Sequence, residues 1–153
     1  MTRREFENEI KKLVQLTASQ YCGLSRVSTC PHKAIHIIGT FRVKKDQYVF
    51  KFENDKNDKH GIKDNMAFDF EIPAPDIGAN DEMGTKQFKK FQRWIRKATR
   101  YIESVYFAYD MRANYRSMNR DVFDDYWVTL QRCLHFALPY IEFKAESFAK
   151  ECM

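Results

Sequence analysis

The sequence predicts an α+β fold: an N-terminal helix, a three-stranded antiparallel sheet, then two or three C-terminal helices packed on one sheet face. Three observations carry this prediction. Apolar residues recur at steps of three and four near both ends of the chain. Between them, from Ala34 to Ile72, the period switches to two. The length of 153 residues, 44% of them hydrophobic and 15% aromatic, suits one domain over residues 1–153 with a single core.

Taken in order, Thr2 followed by Glu5 has the form of a capping box, which satisfies the free N–H groups at a helix start. Phe6, Ile10, Leu13 and Thr17 then share one face of a helix over residues 3–20, and Gly23 is suited to stop it. Residues 22–33 form a connector containing Pro31. Ile35, Ile37, Gly39, Phe41 and Val43 are expected on the buried face of a first strand. Lys45-Asp46 supplies a turn. Tyr48, Phe50 and Phe52 continue the buried face in a second strand. Residues 54–65 are too polar for a core and predict a solvated loop. Phe68, Phe70 and Ile72, with Met66, predict a third strand whose outer Asp69 and Glu71 can lie beside basic outer positions of its neighbours. Pro73, Pro75 and Gly78 end it, and residues 73–84 cross from sheet to helix.

A long helix is expected from Thr85 through Tyr109. Phe88, Phe91, Ile95, Ala98, Ile102, Val105 and Tyr109 form its apolar face. A break near 116–119 precedes the next helix, capped by Asn119, with Phe123, Trp127, Leu130, Leu134 and Ala137 as its stripe. Pro139 is expected to kink or end it, leaving a short tail with Ile141 and Phe148. Helix, three strands, helix is an order shared with double-stranded-RNA-binding domains. The loop signature of that family is missing here, and element order alone assigns no family.

Charge is distributed unevenly. Between Lys86 and Arg120, ten Lys or Arg face only Glu103 and Asp110, so this segment is +8 in a chain of +5 and the remainder is −3. Lys86, Lys89, Lys90, Arg93, Arg96, Lys97 and Arg100 gather on the side of the long helix opposite its apolar face, with Trp94 and Tyr101 at the margin. Lysines in a first helical turn oppose the helix dipole, which invites an anionic partner. Cations interleaved with aromatics suit phosphate contact plus base stacking. The competing explanation is a solvated basic face with Trp94 and Tyr101 as core edges. The expected partner is acidic, either nucleic acid or an anionic protein surface.

Other chemistry is weaker. Cys22, Cys30, His32 and His36 include zinc-ligand types, but their spacing matches no paired zinc pattern, so neither metal nor cofactor is expected. An EF-hand beginning at Asp55 would place His60 at the glycine position and Met66 at the bidentate glutamate, which excludes it. No nucleophile elbow, P-loop or dinucleotide fingerprint occurs. A small hydrolase or nuclease would need Arg132 and His135 to converge with His32 or His36. A protein-interaction module is the closer alternative. Short length and the aromatics Trp94, Tyr106, Tyr109 and Tyr115 would allow an inhibitor or adaptor of the kind mobile elements such as phages use to block a host protein. With no apolar run of membrane length and four sparse cysteines, the expected setting is cytoplasmic, without a membrane.

Overall fold

Thr2 and Glu5 do form the reciprocal cap: the Glu5 N–H donates to Thr2 Oγ1 at 3.2 Å, and the Thr2 N–H donates to Glu5 Oε2 at 3.1 Å. They open α1, Arg3–Cys22. The computed structural model describes residues 1–22, 37–54, 67–78, 81–111 and 120–153. Gly23, the connector, the expected strand start at residues 34–36, the 55–65 loop, Met66 and Asn119 lie outside them. Phe6, Ile10, Leu13 and Thr17 are all buried, and the Thr17 hydroxyl donates back to the Leu13 carbonyl at 2.6 Å.

The sheet is a meander of β1 (Ile37–Lys44), β2 (Gln47–Asn54) and β3 (Ala67–Pro73), in the order β1-β2-β3 and antiparallel throughout. Phe41, Phe50 and Phe70 stand side by side across it, as do Gly39, Phe52 and Phe68. These residues face the helices. On the other side Lys51 pairs in register with Asp69, the opposite-charge alignment expected from the sequence. Val43 departs from expectation. Its strand parity is that of Ile37 and Phe41, yet it is 47% exposed. Alternation fixes the side of the sheet, but cover depends on how far the helices reach. The Lys45-Asp46 turn holds Lys45 at φ 52°, the left-handed region.

Gly39 permits close approach of α1 to β1. A Cβ there would lie 2.9 Å from both the Val14 carbonyl oxygen and Ala18 Cβ. The segment after β3 is more than a crossing: Ile77 and Met83 are each 2% exposed and plug the core. It is tied to the chain start by Arg3 N–H to Asp81 O at 2.7 Å and Met83 N–H to Met1 O at 2.9 Å.

Two C-terminal helices follow, α2 (Thr85–Met111) and α3 (Arg120–Glu151). Pro139 does not end α3. The helix continues past it, and Ile141, Ala145 and Ala149 extend one buried stripe instead of forming a separate tail. Pro139 is exposed, as is His135, whose carbonyl loses its helical donor. Water can therefore satisfy that oxygen, while burial on both sides of the proline holds the rod together. Phe6 of α1 meets Phe88 and Phe91 of α2 and the partly buried Phe148 of α3 edge-on, so one cluster of rings joins the three helices.

Tyr48 is fully buried in this cluster; among the described residues neither its hydroxyl nor the buried Glu7 Oε2 has a hydrogen-bond partner, although Oε2 lies 3.5 Å from Arg3 Nε as an ion pair. Burial first, and the Glu7 carboxylate second, push the phenol above its ordinary value of 10. The unfolded chain then loses this proton before the folded one does. The stabilising contribution is intact below about pH 10 and is lost as pH rises beyond it, at up to about 1.4 kcal/mol per pH unit. Urea midpoints at pH 9 to 11 are expected to fall more steeply for the native chain than for Tyr48→Phe. Parallel profiles would refute this account.

Candidate nucleic-acid interface

The cationic surface begins with how α2 is anchored. The Phe88 N–H donates to the Gly84 carbonyl at 3.1 Å, and the Gly84 N–H donates to Gln87 Oε1 at 3.0 Å, which closes the helix start. Thr85 Oγ1 donates to the Ala149 carbonyl of α3 at 3.2 Å. Trp94 Nε1 donates to the Pro73 carbonyl at 2.8 Å, and its ring packs edge-on against Tyr48 at 5.2 Å. Phe88, Phe91, Ile95, Ala98 and Ile102 are buried below. The rotation of α2 is therefore fixed on both flanks. Val105 and Tyr109, expected on the same face, lie among residues whose side chains are not described.

At about 100° per residue, the seven expected cations fall within an arc of about 120° and span about 21 Å from Lys86 to Arg100. All are exposed except Lys90, which is half-buried. Arg96 departs from the rest: Glu142 of α3 accepts a hydrogen bond from its Nε and neutralises it. Among the described residues no carboxylate lies within ion-pair distance of Lys86, Lys89, Lys90, Arg93, Lys97 or Arg100. Cations three or four apart on one helix repel by about 0.2–0.5 kcal/mol per pair. Lys86–Lys90, Lys89–Arg93 and Arg93–Lys97 are such pairs, and the first turn holds no acid to complement the dipole. Among the described residues, Glu142 alone lies within ion-pair distance of this face.

The two marginal aromatics separate. Tyr101 is 52% exposed and its ring is open to solvent. Trp94 is half-buried and committed to Pro73, Tyr48 and Phe91, which makes it the anchor of the face.

The remaining candidates divide similarly. Cys30, His32 and His36 lie outside the described residues, as does the side chain of Cys22. Among the described residues no group of three metal-ligand side chains gathers. Cys133 is buried and Cys152 exposed, and neither is joined in a disulfide among the described residues. His135 is exposed and, with Glu103, Thr99, Ile102, Leu134 and Leu138, lines a cavity of about 300 Å³ between α2 and α3; Arg132 does not line it. No described helix is long and apolar enough to cross a membrane.

Sequence reasoning missed one surface. Phe136, Tyr140 and Phe143 stand exposed along α3, beside an exposed Leu16 of α1. The signal was present as a four-then-three spacing, offset from the buried stripe of the same helix. The aromatics singled out instead, Tyr106, Tyr109 and Tyr115, are not among the described side chains. Compared with protein-family models, curated proteins and solved structures, the chain matches none of them.

Proposed function

We propose that this chain is a non-catalytic nucleic-acid-binding protein that contacts the phosphate backbone through the outer face of α2. The carrying observation is the set of six cations, Lys86, Lys89, Lys90, Arg93, Lys97 and Arg100, with no carboxylate within ion-pair distance among the described residues, along a rod whose rotation is pinned. Phosphates along a strand supply the repeated negative charge that such a stripe lacks. Tyr101 offers a ring for base stacking at one margin, and Trp94 holds the helix in place.

Fluorescence anisotropy with labelled single- and double-stranded oligonucleotides tests this. Affinity is expected to fall steeply with salt, with a log–log slope for duplex no steeper than about −5, the limit for six phosphate contacts. The triple variant Lys90→Glu, Arg93→Glu, Lys97→Glu is expected to weaken binding by about 100-fold or more at 50 mM salt. Its melting temperature is expected to hold or rise, because the 86–90 and 89–93 pairs become opposite in charge while the 93–97 pair stays like-charged. Absence of binding at low salt, or an unaffected triple variant, would overturn the proposal. A pull-down that survives nuclease would redirect the same face to an anionic protein surface.

A further inference from the structure

The exposed apolar surface of α3 has an order of its own. Leu16, Phe136, Tyr140 and Phe143 are 54%, 45%, 42% and 59% exposed, and with Pro139 they line a groove of about 500 Å³ between α1 and α3. Tyr140 and Phe143 stack with ring planes 16° apart, and Lys144 lies 6.0 Å from the Tyr140 ring, closing one edge. Isolated surface hydrophobics need no explanation, but a continuous patch of this kind marks an interaction site.

The spacing of the stripe, three then one then three, is symmetric about its midpoint, although its residue order is not. Read along α3 it runs Phe136, Pro139, Tyr140, Phe143; read backwards it runs Phe, Tyr, Pro, Phe. A second α3 laid antiparallel across it sets each Phe136 against the other copy's Phe143 and brings the proline–tyrosine centres together. The charges at its two ends are opposite. Arg132, with no carboxylate within ion-pair distance among the described residues, lies one turn before Phe136. Glu146, half exposed and 3.4 Å from Lys150, lies one turn after Phe143. Antiparallel pairing brings each Arg132 toward the other copy's Glu146, whereas parallel pairing would set Arg132 against Arg132. An isologous two-fold contact requires this self-complementarity.

We infer that the chain self-associates as a two-fold dimer through the Phe136–Phe143 stripe of α3, with Leu16 at its margin. The four exposed apolar side chains offer on the order of 400 Å² per copy, judged from aromatic surfaces of about 150–250 Å² each. Stable interfaces bury about 800 Å² per partner, so with a polar rim this contact falls at the weak end. A dissociation constant of about 10–100 µM is expected.

Sedimentation equilibrium in about 500 mM salt, where phosphate contacts are suppressed, separates this contact from nucleic-acid binding. The weight-average mass is expected to rise from 18.3 kDa toward twice that value between about 1 and 500 µM. Phe143→Glu, at a site already exposed and so compatible with folding, is expected to hold the chain monomeric with an unchanged circular dichroism spectrum. Arg132→Glu is expected to weaken association at least threefold, and Arg132→Glu with Glu146→Arg to restore it. A constant monomer mass, a dimer indifferent to Phe143→Glu, or a monomer whose stripe captures only a different protein would each overturn the inference.

Discussion

Phe6→Ala is expected to lower the thermal midpoint by roughly 10 °C, from a loss of about 3–5 kcal/mol. Phe6 is 1% exposed, and its ring meets Phe91 at 4.7 Å, Phe88 at 5.2 Å and Phe148 at 5.9 Å, all near perpendicular. It is the single side chain of α1 that touches aromatic rings from both C-terminal helices among the contacts described. Truncation loses its transfer free energy and its edge-to-face contacts, and leaves a void among three rigid rods that cannot all close in. For a domain stabilised by about 5–15 kcal/mol, that loss is a large fraction of the total. Phe6→Leu refills much of the space and is expected to cost no more than about 1.5 kcal/mol. Chemical denaturation of the two variants checks the pair. A loss below about 1 kcal/mol for Phe6→Ala would mean that the helices do not converge on this ring.

Gly39→Ala is the second large effect, expected to cost about 2–4 kcal/mol although it adds one methyl group. The usual argument for glycine does not apply, because no left-handed conformation is recorded at this position. The reason is space. The new Cβ would meet the Val14 carbonyl and Ala18 Cβ at 2.9 Å and Val14 Cγ1 at 3.2 Å. The carbonyl belongs to the backbone of α1 and cannot swing aside, so the whole helix must lift from β1. Ala18→Gly removes one of the two closest contacts and leaves the other. The double variant is therefore expected to recover part of the loss, beyond the helix-propensity cost of about 1 kcal/mol for the new glycine. A stability change within about 0.5 kcal/mol for Gly39→Ala would show that α1 and β1 are not in such contact.

These cases divide what the sequence discloses from what it withholds. Thr2 and Glu5 are three residues apart, and their reciprocal bonds are written in that spacing. The cationic arc is likewise local, since helical geometry alone places Lys86 through Arg100 together. Pairings across long intervals are not written locally. Trp94 and Pro73 are 21 residues apart, Arg96 and Glu142 are 46 apart, and nothing beside Glu142 marks it as the partner of a helix elsewhere. The same limit explains Val43 and Pro139. Alternation assigns Val43 a face but not a cover, and a proline reads as a helix end unless the burial on either side of it is known. The close approach at Gly39 is withheld for a related reason: a glycine in a strand gives no hint of which helix lies above it.

The acid-free opening turn of α2 has a final consequence for redesign. Replacing Lys86 or Lys89 with glutamate would suit the dipole and relieve its neighbours, making a sturdier helix. The same exchange would strip the attraction for polyanions from that end of the rod. Optimising this protein for heat resistance by local rules would therefore erase the asymmetry that sets its surface apart.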